Sequence, residues 1–322
     1  MRAIVIHEQG GPEVLKLEEV PQPAAGPGQV LIRNEAIGVS YSEIPMRAGV
    51  YPPPVSLPAV FGFEAAGIVT EAGDGSGASL EGKRVVVLST SFGSYAEYMA
   101  VPADSVTVVP GGVTAADAVA VANMAAVALC LLRRARLTGS ETVLIEAAAG
   151  GVGGYLTQLA REHGAARIIA TAGSPAKREH ARSLGAGAVV DHTDPGWPDK
   201  LGEVLGGAGL DVVFESLGGE SAGRLLGAMT PVSGRMLLYG VLNGPPAIAP
   251  VDLLHRGLTL TGCAGMGDWL ALVQAARGDV LRMVADGRLR PQVDSVLPLS
   301  DAARAHERTE ARAAMGKVVL VP

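Results

Sequence analysis

The stretch AAAGGVG, residues 147–153, contains no acid, base or nucleophile. Such a run serves shape, and it raises the question of what comes so close to this backbone that side chains must be absent. It follows TVLIEA, an aliphatic run that predicts a strand, and it opens a segment that predicts a helix over about residues 151–163. Tyr155, Leu156, Leu159 and Ala160 fall on one face of that helix. Arg161, Glu162 and His163 fall mostly elsewhere, and Gly164 suits its stop. Aligned as Ala148-x-Gly150-x-x-Gly153, the stretch matches the dinucleotide fingerprint with alanine in the first slot. Gly150 lets the backbone approach a pyrophosphate, and Gly153 lets the helix pack closely on the strand. The N–H groups along Ala149, Gly150, Gly151, Val152 and Gly153, at the positive end of the helix, are the expected phosphate contacts.

The same grammar repeats downstream. RIIAT, the helical PAKREHARSL with Gly185 after it, AVVD, DKLGEVL, DVVFES, SAGRLLGAM and RMLLYG alternate strand with helix. This predicts an α/β fold with a doubly wound parallel sheet over residues 123–258. Near Leu258 the chain leaves that pattern. An amphipathic helix around residues 301–313 and a strand in KVVLVP are expected to rejoin the N-terminal half. That half has short β-like runs, AIVI, QVLIRNEAIGV, AAGIVTEAG and KRVVVL, separated by the loops PQPAAGPGQ and YPPPVSLP.

The type of dinucleotide is read at the end of RIIAT. An acid about 20 residues past the turn would bond a ribose 2′-OH, but Ala172, Gly173 and Ser174 stand there. Ser174, Lys177 and Arg178 offer a hydroxyl and two cations, which suit a 2′-phosphate and predict NADP(H). Ser174 before Pro175 is also a good N-cap. A purely capping serine beside a solvated cationic face is the alternative.

Totals exclude several classes. The 322 residues suffice for two domains, and 48% apolar content supports a large core. A net charge of −6 without a basic run argues against nucleic acid or an anionic membrane as partner. Cys130 and Cys263 lie far apart, outside any CxxC, and are expected as buried free thiols in a reducing cytoplasm. MRAIVIHEQGG is too polar too soon for a signal peptide. The longest apolar stretch, residues 118–132 with Asn123 inside it, is shorter than the roughly 18–20 residues a membrane span needs. GASLEGKR, residues 77–84, has Arg84 where a P-loop needs Ser or Thr and precedes a strand, so it reads as a loop.

Along nearly its whole length the sequence resembles the zinc-independent medium-chain dehydrogenases/reductases of the NADPH:quinone oxidoreductase group. The matching stretches are the opening MRAIVI…GGPEVLKLEEVPQP…GPGQVLIR, then GVSYSE…RAGVYPPP, GFEAAGIV, AAAGGVG, DVVFESLGG and GKVVLVP, in this order. The resemblance implies a GroES-like, partly open β-barrel catalytic domain from residues 1–122 and 259–322, a Rossmann NADP(H)-binding domain from 123–258, an active site in the cleft between them, and a homodimer or higher oligomer, with the homodimer expected. Zinc-dependent relatives carry Cys near Ser40 and His just before Glu64. Here Ser40 and Phe63 stand there and no four-cysteine lobe exists, so no metal is expected. The group's Asn-x-x-Asp pair appears as Ser40 and Glu43, its Thr at the nicotinamide amide as Val127, and its Tyr near the 2′-phosphate and adenine as His192. Ser216, Gly240, Val241, Ala264 and Gly265 match stretches expected to border the cofactor.

The implied activity is NADPH-dependent reduction of quinones or α,β-unsaturated carbonyls by metal-free hydride transfer. An enoyl-thioester reductase of a biosynthetic pathway and a non-catalytic NADPH-binding protein are the alternatives. The acceptor's developing oxyanion needs a donor, and Ser40, Tyr41 and Tyr51 are the candidate catalytic side chains, with plain packing open for both tyrosines. Glu64 is expected to tether local structure.

Overall fold

The TVLIEA run forms strand Thr142–Ile145 inside a six-stranded parallel sheet. The computed structural model describes residues 1–264 and 267–322. The sheet order is Ala188–Val190, Arg167–Thr171, Thr142–Ile145, Val212–Glu215, Arg235–Leu238, Thr259–Gly262. Chain order reverses between Thr142–Ile145 and Val212–Glu215, and the carboxyl ends of strands at such a point form the usual ligand crevice of this architecture. The connecting helices include Gly151–Leu159, Pro175–Ser183, Trp197–Leu205 and Gly219–Ala228. Helix Trp197–Leu205 buries one stripe: Trp197, Leu201 and Leu205, four residues apart, pack with Leu144, Ile169, Val213, Leu225 and Met236. A fully buried side chain of this kind contributes about 1.5–3 kcal/mol.

The chain divides into two compact units, Met1–Asn123 with Arg277–Pro322, and Met124–Ala276. The return expected at residue 259 therefore comes later. Thr259–Gly262 pairs in parallel with Arg235–Leu238 as the sixth strand, and the division falls inside helix Asp268–Ala285. The short, proline-initiated helix Pro250–Arg256 fully buries no residue, so the last repeat lacks the well-packed helix of the earlier ones.

In the first unit, strand Gln29–Val39 pairs with Lys317–Val321, Glu64–Ala72 and Tyr98–Pro102. The sheet continues to Val293–Pro298 on one side and to Arg84–Leu88 and Val106–Val108 on the other. Val318 stands opposite Val39, so the tail rejoins the N-terminal half as expected. A second, three-stranded sheet holds Lys16–Glu19, Arg2–Ile6 and Ala59–Val60.

The apolar stretch is longer than expected. Helices Ala115–Val121 and Met124–Ala135 follow one another, and over these 21 residues length and composition would allow a membrane crossing. The most apolar window is 72% buried inside the protein, which is how core helices read.

Candidate functional site

Ala147 ends strand Thr142–Ile145 in a left-handed conformation, φ 48°, and turns the chain toward helix Gly151–Leu159. Gly150 is the extended N-cap and brings no side chain to the N–H groups of the first turn. Those donors have no partner within their own helix. A β-carbon on Gly153 would lie 2.5 Å from the Ala147 carbonyl oxygen and 2.9 Å from that of Glu146, so only glycine allows this packing. One on Gly151 would strike the Met124 sulfur, the far part of a flexible side chain. Ala149 is buried beneath the turn.

One strand further on, Ser174 Oγ accepts the Lys177 N–H at 3.3 Å and caps helix Pro175–Ser183. Its hydroxyl proton is left to donate, so cap and ligand roles are compatible. Arg178 is salt-bridged to Asp191, which neutralises much of the second expected cation. His192 Nδ1 lies 3.0 Å from Thr171 Oγ1, which also accepts the Ala147 N–H at 3.3 Å. A β-carbon on Gly173 would stand 3.1 Å from His192 Nε2, which places that ring beside Gly173 and Ser174. His192 also lines an open cavity of about 380 Å³ with Leu217, Gly218, Ser221 and Asn243.

Ser216 is buried at the end of strand Val212–Glu215, and its carbonyl comes so near Gly240 that a β-carbon there would lie 2.7 Å away. Val241 and Ala264 are exposed; Gly265 lies outside the described residues. Two acids that the sequence reading passed over, Glu146 and Glu215, are fully buried under these turns. Burial first, and then the hydrogen bond and charge of Glu146, push the Glu215 carboxyl up to about 9.

A second polar cluster lies in the first unit around Ser40. Lys317, with no exposed side chain, donates to Ser40 Oγ at 2.9 Å and sits 2.5 Å from Glu64 Oε2. Glu64 is thus the tether expected of it. Glu43 Oε2 accepts the Ser40 N–H and the Tyr95 hydroxyl, both at 2.8 Å, and Oε1 accepts the Phe63 N–H at 3.0 Å. Burial raises the Glu43 carboxyl to about 7, against the pull of those donors and of Lys317. Tyr95 lies 3.0 Å from His306 Nε2, and burial, then Arg47, lowers that imidazole to about 3. Tyr41 carries the Arg312 guanidinium 5.9 Å above its ring. The Tyr51 ring is exposed, while its carbonyl accepts from Gln9 at 3.0 Å. Ser40 and Glu43 are therefore brought together; Tyr41 and Tyr51 stand outside their hydrogen-bond network.

Comparison with known proteins places the chain in a family. The alcohol dehydrogenase GroES-like domain profile matches residues 26–111, and the zinc-binding dehydrogenase profile matches residues 151–278. The quinone oxidoreductase of Rattus norvegicus is 34% identical, with 100% of this chain and 98% of that protein covered. The chain belongs to the quinone oxidoreductase family of medium-chain dehydrogenases/reductases. Within this family it is also similar to a Burkholderia 2-haloacrylate reductase, 32% identical over 99% of this chain and 98% of the relative. The crystal structure of the Escherichia coli quinone oxidoreductase complexed with NADPH superposes with a TM-score of 0.90 at 31% identity, covering 100% of both chains.

Among the described residues the zinc in the second profile's description finds no donor set. Ser40 accepts from an ammonium, and Phe63 packs against Phe92 with ring centroids 5.0 Å apart. Among the described residues no group of three or more His, Cys, Asp or Glu side chains is placed to hold a metal. The sequence reading missed Lys317, Tyr95 and His306 because each reaches its partners from a distant segment. For Glu146 one signal was available: an acid closing an apolar strand just before a turn that matches the dinucleotide fingerprint.

Proposed function

We propose that this member of the quinone oxidoreductase family is an NADPH-dependent reductase of quinones or α,β-unsaturated carbonyls. The observation that carries the reading is the glycine- and alanine-rich turn at residues 147–153, placed where the sheet order reverses. The NADPH named with the Escherichia coli structure and the unsaturated acid in the Burkholderia relative's name support it.

Bound NADPH supplies a hydride. The chain's contribution is to hold and orient. N–H groups of residues 149–153 take the pyrophosphate, while Ser174, Lys177 and His192 take the 2′-phosphate. Ser216, Gly240, Val241 and Ala264 border the cofactor. At the acceptor end Ser40 accepts from Lys317, so its own hydroxyl proton is available to a developing oxyanion. Tyr51, presented by the YPPP loop, packs against the acceptor, and Tyr41 lines the same segment. Cys130 and Cys263, both buried and neither in a disulfide, suit a cytoplasmic setting. The outer edge of Thr259–Gly262, to which no strand pairs among the described residues, suits a homodimer.

The test is NADPH oxidation across quinones, enones and enoyl thioesters. Turnover is expected with the first two classes, and Tyr51→Ala should raise KM more than it lowers kcat. Lys177→Ala should weaken NADPH relative to NADH by roughly tenfold to a hundredfold, the size of one charge-assisted phosphate contact. No acceptor-dependent oxidation anywhere in the panel, or equal binding of both nucleotides by the unaltered protein, would refute the reading.

A further inference from the structure

Strand register brings two carboxyl groups together where the sheet reverses. Val212–Glu215 runs parallel to Thr142–Ile145 with Phe214 opposite Ile145. The ladder extends one step, the Glu146 N–H donating to the Phe214 carbonyl at 3.2 Å, so Glu215 and Glu146 become neighbours. Glu146 is heavily used as an acceptor. Its Oε2 takes the N–H groups of Ser216 at 3.2 Å and Leu217 at 3.3 Å, and its Oε1 takes the Ser221 hydroxyl at 2.7 Å. Glu215 Oε1 takes the Gly218 N–H, at 2.5 Å, and among the described residues its Oε2 is buried without a donor.

The surroundings supply no compensating cation. Among the described residues neither carboxyl makes an ion pair, and the facing side chain of the next strand end is the Tyr239 phenol, held high chiefly by burial. On helix Gly219–Ala228 the charged groups are Glu220 and Arg224, which pair with each other; with His192 they line the adjoining cavity. Two neighbouring anions in so apolar a place repel strongly. One proton removes the repulsion and gives Glu215 Oε2 a partner in Glu146. It belongs on Glu215, because Glu146 already serves three donors.

We propose that Glu146 and Glu215 form a carboxylate–carboxylic acid pair, protonated on Glu215, which positions the two backbone turns at residues 147–153 and 216–219 for the cofactor. The positioning role rests on the NADP(H) reading of those turns; the shared proton does not.

The pair has a readable pH signature. A carboxyl raised on folding adds stability that is complete below its unfolded value of 4.5 and is lost as pH climbs toward about 9. Glu43 does the same only up to about 7. His306, lowered on folding, acts with opposite sign between about 3 and 6.5. The interval from about 7 to 9 therefore reports on the pair.

The full chain is compared with Glu215→Gln, whose amide still donates to Glu146, and with Glu146→Gln, which replaces an accepting oxygen by a donor. Stability is followed across that interval without nucleotide, the infrared carboxylic C=O band is recorded at about pH 8, and NADPH affinity is measured by nucleotide fluorescence. The unaltered chain should lose stability with rising pH and show the band, while Glu215→Gln shows neither. Glu146→Gln should bind NADPH at least about tenfold more weakly than Glu215→Gln, one buried acceptor having been lost. Absence of the band, equal pH slopes, or equal NADPH affinity of the two variants would overturn the proposal. The band needs no change at position 146, so it decides the proton even if Glu146→Gln fails to fold. Failure of the unaltered chain to bind NADPH, with band and slope present, would remove the cofactor reading and the positioning role while upholding the pair.

Discussion

None of the Lys317 side chain is exposed, and Glu64 and Ser40 meet its Nζ at 2.5 and 2.9 Å. Removing one member leaves the other as an uncompensated buried ion. Lys317→Met should therefore cost about 3–5 kcal/mol, read from the urea midpoint, and adding Glu64→Gln should restore most of it. If the single and double variants unfold alike, the pair is not the source of the loss. Ser40, Glu64 and Lys317 are each visible in the sequence, but nothing local says that they meet. Lys317 reaches Ser40 across 277 positions, and only the antiparallel register of Val318 with Val39 closes that gap.

At the scale of elements, the turn at residues 147–153 separates two kinds of glycine. Gly153→Ala drives a β-carbon against fixed backbone, whereas Gly151→Ala meets only the Met124 side chain, which can move. Gly153→Ala should lower thermal stability by about 1–3 kcal/mol, and Gly151→Ala by clearly less. Calorimetry giving the two equal losses would show that the helix can shift to relieve the crowding. The role of Gly153 was legible in the sequence because strand, turn and helix are contiguous, and local periodicity predicts all three. The same holds for strand Gln29–Val39, whose quoted run matches the observed element from end to end. The Thr259–Gly262 strand was not legible: its strength comes from pairing with Arg235–Leu238 rather than from its own pattern. The Glu146–Glu215 contact was hidden for a related reason, since it exists only once two separate strands are in register.

For the whole molecule, the outer edge of Thr259–Gly262, to which no strand pairs among the described residues, leads to a prediction about assembly. An open parallel edge leaves backbone donors and acceptors that a second copy can satisfy, and Leu254 and Val251 on the preceding helix are exposed. Sedimentation velocity should find a species of twice the 32.7 kDa chain mass, and a purely monomeric boundary at working concentrations would refute it. The discontinuity of the first unit has a consequence for biosynthesis. Unit Met124–Ala276 is one uninterrupted run and can close as soon as it has been translated. Strand Gln29–Val39 must wait for Lys317–Val321, and at ribosomal speeds a separation of 277 residues is roughly 15–55 s. Throughout that interval the nascent chain carries a long, valine- and isoleucine-rich strand lacking one of its neighbours, which makes it a natural client for a chaperone that shields unpaired edges until translation catches up.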